Sequence, residues 1–136
     1  MQPKLYLAGP DVFLPNALTN AQMQRELCKK YGFTPLHPLD GDIDISKRDT
    51  KTAMKIYLAN LDKIRECGIV VANCNGFRGV CTDDGTSYEL GFGNALGKVS
   101  YGYIEDGMSL IERTVRDYPC EPFKDGVWVD REGYFI

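Results

Sequence analysis

Histidine is scarce in this sequence, and its cysteines are not grouped. His37 is the only histidine, and the five cysteines include no Cys-x-x-Cys pair. A zinc site, which needs several such ligands at short spacing, is therefore not expected. The odd number of cysteines, in a chain of 136 residues that is long enough for its own core, also argues against a disulfide framework. We expect reduced thiols and a cytoplasmic location.

Long runs of basic or apolar residues are also missing. The chain carries 16 basic and 19 acidic residues, for a net charge of −3, and has no Lys/Arg stripe, which disfavours binding to nucleic acid. No apolar stretch approaches the roughly 20 residues of a membrane span, so no membrane association is expected. A strand begins almost at once without a charged leader, so no secretory signal is expected. With 43% apolar residues, the chain should still form a core.

Loops that bind phosphate are absent too. Residues 8–13 read Ala-Gly-Pro-Asp-Val-Phe where a dinucleotide-binding chain would carry Gly-x-Gly-x-x-Gly, and Gly-Lys-Ser/Thr occurs nowhere. Gly91–Gly97 contains a glycine string, but within a segment predicted to be helical, where it indicates close packing against the sheet. There is no Gly-x-Ser-x-Gly, and nothing places His37 beside a cysteine for catalysis.

An aspartate-rich stretch between the second strand and the second helix resembles a cation loop only superficially. Asp40, Asp42 and Asp44 alternate around Gly41. An EF-hand that began at Asp40 would close with a glutamate at its twelfth position, where this chain has Lys51. We expect a solvated loop and no metal.

Apolar segments and turn residues predict alternating strands and helices. Strands are expected at 4–8, 33–36, 68–73, 99–104 and 127–129, and helices at 16–31, from 49 or 50 to 66, 86–96 and 109–118. This order predicts an α/β fold: one domain over residues 1–136 with a doubly wound, Rossmann-like or flavodoxin-like parallel sheet flanked by helices. Ligands bind such sheets beyond the carboxyl ends of the strands. One crevice should therefore be formed by residues 9–13, the loop after Leu36 and residues 73–89.

The first two helices show apolar residues near helical spacing. In the first these are Leu18, Met23, Leu27 and Tyr31, with Asn16 as a candidate cap. In the second, one predicted face contains Ala53, Ile56, Tyr57, Asn60, Leu61 and Ile64. Asn60 is the polar exception, either a satisfied buried amide or a group that faces a ligand crevice.

Carboxylates are the residues best suited to chemistry in this crevice. Glu89 lies among apolar residues of the third helix, either as a first-turn acid that favours the helix dipole or as a carboxylate held in a pocket. Asp83, Asp84 and Asp11 are its candidate partners. Two carboxylates serve a retaining glycosyl transfer, in which one attacks the anomeric carbon and the other handles the leaving-group proton. Tyr6 is either an orienting hydroxyl or a core aromatic residue.

Four segments together resemble the nucleoside 2-deoxyribosyltransferase family, over about residues 3 to 100. They are Tyr-Leu-Ala-Gly-Pro-Asp-Val-Phe at 6–13, the segment 60–67 before a hydrophobic strand, Phe-Arg-Gly at 77–79, and Asp-x-Gly-Thr-x-x-Glu-Leu-Gly at 83–91. The resemblance implies that Glu89 attacks C1′ of a 2′-deoxynucleoside and forms a covalent deoxyribosyl-enzyme. A second base then displaces the enzyme with retention.

The same resemblance implies further roles. Asp83 assists protonation of the base, Tyr6 positions the nucleophile, and Asn60 lies near the sugar. Substrate contacts are expected from the group Phe13 (stacking on the base), Asp40 (a base edge), Gly9, Asp11 and Gly85. The implied partners are a 2′-deoxynucleoside and a free nucleobase, with no cofactor. A homo-oligomer, dimeric or larger, and a role in nucleotide salvage are expected.

Two other functions stay open at this point. A related hydrolase, a deoxynucleoside 5′-monophosphate N-glycosidase, would use water instead of a second base. Its first loop carries Ser and Arg that bind phosphate, whereas Asp11 here would repel phosphate. A nonenzymatic nucleoside-binding module is the other alternative.

The sequence departs from the family pattern at two places. Asp84 stands where relatives often have a small residue. Many relatives also carry an Asn-Leu-Met-like segment that reaches a neighbouring subunit's sugar, and Glu132–Ile136 does not match it. We do not expect this form of sugar recognition here.

Overall fold

A parallel sheet of four short strands forms the centre of the computed structural model, which describes residues 2–42, 47 and 49–136. The strands lie in the order β2-β1-β3-β4, with β1 at Lys4–Ala8, β2 at Thr34–Leu36, β3 at Ile69–Asn73 and β4 at Val99–Tyr103. Tyr6 lies beside Leu36 on one neighbour and Val70 on the other. Because parallel strands are covered on both faces, β1 and β3 are nearly continuous apolar runs.

Helices connect successive strands, as the sequence predicts. They are α1 (Ala17–Lys30), α2 (Thr50–Glu66), α3 (Asp84–Ala95) and α4 (Leu110–Asp117), with a 3-10 turn at Pro10–Phe13 directly after β1. Gly32 follows α1 at a φ of 83°, a left-handed conformation that ends a helix at little cost for glycine. Ser109 and Glu112 form a capping box at the start of α4. The predicted α/β fold is confirmed.

The core lies between the sheet and the helices α2 and α3. Tyr6, Ala8, Val70 and Ala72 point to this face because alternate residues of a strand share a face, and they meet Leu61 and Ile64 of α2. Gly93 of α3 approaches the sheet so closely that a Cβ there would lie 2.7 Å from Val70 Cγ2. The prediction of close packing therefore holds for Gly93, whereas a Cβ at Gly91 or Gly97 would meet nothing within 4 Å. On the opposite face, Gln24 of α1 lines a small cavity together with Leu7 and Val71.

Several predicted details differ from the structure. The apolar residues of α1 and its end do not form a buried stripe, since Leu18, Met23, Leu27 and Tyr31 are all exposed. Asn16 occupies the cap position without a side-chain hydrogen bond. Ala53 and Tyr57 of α2 are exposed, and Thr52 is buried in their place. Helical propensity and spacing predicted these helices, but which flank is covered depends on tertiary packing.

The segment after α4 forms a small antiparallel hairpin. Its strands are β5 (Cys120–Pro122), which the sequence analysis missed, and β6 (Trp128–Asp130), predicted at 127–129. No helix in the described part of the chain is long and apolar enough to cross a membrane. The five cysteines are free thiols.

Candidate active site

Three side chains from three different elements meet at one carboxylate oxygen. Tyr6 Oη of β1 donates to Glu89 Oε1 over 2.9 Å, and Asn60 Nδ2 of α2 donates to the same oxygen over 3.1 Å. Glu89 belongs to α3, so the cluster joins the sheet to both helices of its covered face. Both donors contact Oε1, and no residue of the described chain donates a hydrogen bond to Oε2. One carboxylate oxygen is therefore held in place while the other stays available.

Position in the fold explains why these side chains converge. Tyr6 is fully buried at the centre of the sheet, and its ring points toward α2 and α3. Glu89 is the sixth residue of α3, which starts at Asp84 rather than at the predicted Thr86. It therefore lies in the second turn, and the interpretation as a first-turn acid is wrong. Tyr6 is a core aromatic residue whose hydroxyl is bonded to Glu89, and its role in orienting a nucleophile stays a prediction.

Burial sets the electrostatics of the cluster. Loss of solvent raises the pKa of Glu89 above its usual range, while the bonds from Tyr6 and Asn60 lower it and the charge of Asp83 raises it further. The pKa of the Tyr6 phenol is raised, first by burial and then by the Glu89 charge, so its proton remains in place to be donated. The site thus holds a poorly solvated carboxylate, oriented by two neutral donors.

Asn60 contributes a second, unused polar atom. Its side chain is only 9% exposed, and Oδ1 is buried without a hydrogen-bond partner in the described part of the chain. The amide orientation follows from Glu89, since a carboxylate must receive the NH₂ group. A buried acceptor without a donor costs free energy. Asn60 is therefore not the satisfied buried amide of the first alternative.

Asp83 lies at the N-terminus of α3, next to Glu89. Its Oδ2 accepts from the backbone N–H and the hydroxyl of Thr86, both at 3.0 Å, which makes Asp83 the N-cap of the helix. Oδ1 has no partner among the described residues. Gly85 lies against this cap, where a Cβ would be 3.2 Å from Asp83 Oδ2. Asp84, unexplained by the sequence, is the exposed first residue of α3 and favours the helix dipole.

Asp11 belongs to a separate polar cluster at the carboxyl ends of β1 and β3. Its oxygens accept from Asn20 Nδ2 at 2.9 Å and from Asn73 Nδ2 at 3.0 Å. Gly9 is required by close approach, because a Cβ there would lie 2.5 Å from Asp11 Oδ2 and 3.0 Å from Asn73 Cβ. Neither Gly9 nor Asp11 contacts the Glu89 cluster by a hydrogen bond, so their substrate contacts stay a prediction.

Asp40 is engaged within the protein. Its Oδ1 accepts from Arg25, with a closest distance of 2.6 Å, and its Oδ2 accepts from the backbone N–H of His37 at 2.6 Å. Its contact with a base edge stays a prediction. Asp42 is exposed, Asp44 lies outside the described residues, and the described residues contain no group of potential metal ligands.

Lys63 is a residue near the site that the sequence analysis missed. Its ammonium donates to Pro38 O at 3.2 Å, and its charge acts on both Asp40 and Glu89. Partial burial lowers the pKa of Lys63, while the two carboxylates raise it. The signal in the sequence was its position three residues after Asn60, on the same flank of α2.

Aromatic side chains occupy the rim. Phe13 ends the 3-10 turn after β1 and stacks on Phe77, with ring centroids 5.6 Å apart and planes at 23°. Phe13 is 62% exposed, which leaves much of its ring accessible at the carboxyl end of β1. Arg78 lies over the Phe77 ring, 5.0 Å from its centroid.

A cleft at the carboxyl ends of β1 and β3 includes no residue of the Glu89 cluster. It has a volume of about 460 Å³ and shares Asp11, Asn73 and Phe77 with the surroundings of the site, but its far wall is formed by α4 residues. Arg113 on that wall is paired with Asp106 at 2.9 Å. The Glu89 cluster remains the candidate site, because the half-buried carboxylate and the unpartnered amide oxygen of Asn60 lie there.

Comparison with known proteins identifies the family. The family model of the nucleoside 2-deoxyribosyltransferases matches residues 5–136. The chain belongs to this family. Its resemblance to nucleoside 2-deoxyribosyltransferases, inferred from four segments, is thereby confirmed, and the family includes enzymes that transfer or release glycosyl groups.

Individual relatives agree with this membership. A 2-deoxyribosyltransferase from Leishmania mexicana is 34% identical, with a TM-score of 0.63, over 74% of this chain and 63% of that one. An uncharacterised Schizosaccharomyces pombe protein is 31% identical over 92% of this chain and 60% of its own length. A Clostridium botulinum CMP N-glycosidase, at 19% identity and a TM-score of 0.50, shares the fold over 80% of this chain and 77% of that one. The chain thus spans about three fifths of the yeast and Leishmania proteins.

Proposed function

We propose that this protein transfers the 2-deoxyribosyl group of a 2′-deoxynucleoside to a second purine or pyrimidine base, through a covalent intermediate on Glu89. The observation that carries the proposal is the asymmetric carboxylate, with Oε1 held by Tyr6 and Asn60 and Oε2 available. A nucleophile needs a fixed orientation and weak solvation, and Glu89 has both.

In the first step, Glu89 Oε2 attacks C1′ and the bond from C1′ to the base nitrogen breaks. The electron pair of that bond goes to the base nitrogen, which takes the proton that Asp83 Oδ1 carries when Asp83 enters this step in its acid form. In the second step, the incoming base attacks C1′, the bond to Glu89 breaks, and the proton returns to Asp83. Two inversions give overall retention. No cofactor takes part in these steps.

Asn60 Oδ1 supports a sugar at this position. A deoxyribose hydroxyl, on C3′ or C5′, is the kind of donor that this oxygen lacks. Phe13 supplies an exposed ring on which the base can stack, and Asp11 at the first loop disfavours a 5′-phosphate. A homo-oligomer, cytoplasmic placement and a role in salvage stay predictions from the family.

Incubation of the protein with deoxyinosine and free adenine tests this function. We expect hypoxanthine and deoxyadenosine to appear in equal amounts, and a protein mass increased by one deoxyribosyl group when adenine is omitted. Glu89→Gln should abolish both signals. Tyr6→Phe, which keeps the packing but removes the hydroxyl, should slow the first step about 10- to 100-fold.

Other outcomes lead to other functions. Hypoxanthine without deoxyadenosine would identify a hydrolase that uses water as acceptor. A preference for the 5′-monophosphate would also contradict the proposal. Binding of deoxyinosine without turnover would indicate a nucleoside-binding module, and exchange near the wild-type rate in Glu89→Gln would reject Glu89 as nucleophile.

A further inference from the structure

The loop between β3 and α3 is a closed turn that presents two side chains. Gly76 and Thr82 form an antiparallel bridge, and Phe77 N donates to Cys81 O at 3.0 Å. The Thr82 hydroxyl donates to Cys74 O at 3.1 Å. These bonds join both stems of the loop, so Phe77 and Arg78 extend from a fixed frame rather than from a flexible loop.

The backbone at the tip of this turn is strained. Arg78 has a φ of 56°, in the left-handed region that a non-glycine residue rarely adopts, and this conformation costs about 1 kcal/mol or more. Gly76 allows the tight closure, because a Cβ there would lie 2.4 Å from Gly79 O. A glycine at position 78 would remove the strain. Keeping an arginine at this position therefore costs backbone strain, as is common at residues with a functional role.

The two side chains of the turn support Phe13 from behind. Phe77 stacks on Phe13, and the Arg78 guanidinium lies over Phe77 at 5.0 Å. Phe13 stays 62% exposed at the carboxyl end of β1. An exposed ring on a short turn would sample several rotamers by itself, and ordering it on binding would reduce affinity. A stacked neighbour and a cation fix its plane in advance.

We propose that Phe77 and Arg78 are positioning residues that hold the Phe13 ring at the angle required to stack a planar nucleobase. This inference rests on the proposed function, because it assigns Phe13 to the base. Base–aromatic stacking and cation–π contacts are of the size that changes a dissociation constant severalfold. Neither Phe77 nor Arg78 touches the reacting atoms, so they act on base affinity and not on the attack by Glu89.

Calorimetric titration of free adenine tests the assignment without requiring turnover. Relative to wild type, we expect Kd to rise about tenfold in Phe13→Leu, about fivefold in Phe77→Leu and about twofold to threefold in Arg78→Asn. Asparagine tolerates a positive φ, so Arg78→Asn keeps the backbone. Phe123→Leu is the matched control, because Phe123 is 64% exposed and its ring packs at a tilted angle against Phe135, away from the Phe13 turn. It should leave Kd unchanged.

A kinetic measurement separates positioning from mere stability. The deoxyribosyl-enzyme is captured by adenine or by water, and only capture by adenine uses the stacked ring. In Phe77→Leu and Arg78→Asn, the ratio of exchange to hydrolysis at subsaturating adenine should fall by the factor by which Kd rises. Loss of stability alone would lower both rates equally.

The outcomes distinguish the two proposals. A Kd within 1.5-fold of wild type in both Phe77→Leu and Arg78→Asn, as in Phe123→Leu, overturns the positioning role, whether or not exchange occurs. A wild-type protein that shows no exchange, but whose Kd for adenine rises in these variants, overturns the transferase and supports the positioning role. No binding of adenine to the wild type overturns the positioning role, whereas the absence of exchange overturns the transferase.

Discussion

Glu89 is the residue at which the requirements of folding and chemistry conflict. The side chain is half-buried, its neighbours are apolar, and its pKa is raised because burial disfavours the charge. The bonds from Tyr6 and Asn60 offset part of this cost without removing it. A residue kept only for stability would not be an acid here. Strain of this kind is typical of groups that a site holds ready to react.

Replacing Glu89 by glutamine should therefore stabilise the protein at neutral pH. Gln Oε1 can accept the same bonds from Tyr6 and Asn60 without a buried charge. Because the folded pKa is raised, wild-type Glu89 is best tolerated at low pH, and its stabilising contribution is lost as the pH rises through that pKa. We expect Glu89→Gln to gain about 1 kcal/mol at pH 7, which raises Tm by roughly 4 °C, and to lose this advantage near pH 4.

Thermal unfolding at a series of pH values measures this difference. Glu89→Ala is the contrasting variant, because it leaves the hydroxyl of Tyr6 unpaired and should be less stable than wild type throughout. A Glu89→Gln protein that is less stable than wild type at pH 7 would show that the carboxylate has a structural role.

The helix α3 carries both the proposed nucleophile, Glu89, and its candidate proton donor, Asp83. Asp83 caps the helix through Thr86, and one and a half turns later Glu89 faces the sheet. The sequence motif predicted that both residues would reach one pocket. It did not predict the start of the helix at Asp84, because the first turn has no apolar residue and depends on the cap. Cap geometry needs three-dimensional information that spacing alone does not contain.

Two substitutions of Asp83 separate capping from chemistry. Asparagine caps a helix about as well as aspartate, so Asp83→Asn should keep stability within about 0.5 kcal/mol. An amide cannot hand the base a proton, so exchange should fall at least 100-fold. Asp83→Ala should lose the activity and, in addition, about 1 kcal/mol of unfolding free energy. Denaturant unfolding measures the stabilities, and the exchange assay measures the activities. Near-normal exchange in Asp83→Asn would show that Asp83 caps the helix and has no role in proton transfer.

The sequence predicted the order of strands and helices better than it predicted the contacts between them. The strand and helix order followed from apolar runs and glycines, and the convergence of Tyr6, Asn60 and Glu89 followed from the resemblance and the strand ends. The ion pair between Arg25 and Asp40 and the position of Lys63 join residues that are far apart in the chain. Such contacts depend on how helices settle on the sheet, and neither periodicity nor motif spacing encodes them.

Another long-range contact, between His37 and Gln24, makes the stability of the whole fold depend on pH. His37 is 2% exposed, and its ring connects the loop after β2 to Gln24 of α1 at 3.2 Å. Leu39 N donates to Nδ1 at 3.1 Å, so the second ring nitrogen carries the proton that Gln24 accepts. The ring is thus held neutral. Burial, with the charge of Arg25, lowers the pKa of His37 to about 4.

Since the unfolded chain takes up a proton near pH 6.5 and the folded chain only near pH 4, His37 favours the folded state above pH 6.5. This contribution is lost as the pH falls through that window, by up to about 1.4 kcal/mol per pH unit. Denaturant unfolding of wild type between pH 7 and 4.5 should show this slope. His37→Asn can still accept from Leu39 N but does not titrate. The slope of its unfolding free energy against pH should therefore be smaller than that of wild type, by the equivalent of up to one proton, whatever its absolute stability. Equal slopes in the two proteins would mean that the ring is charged in the folded state.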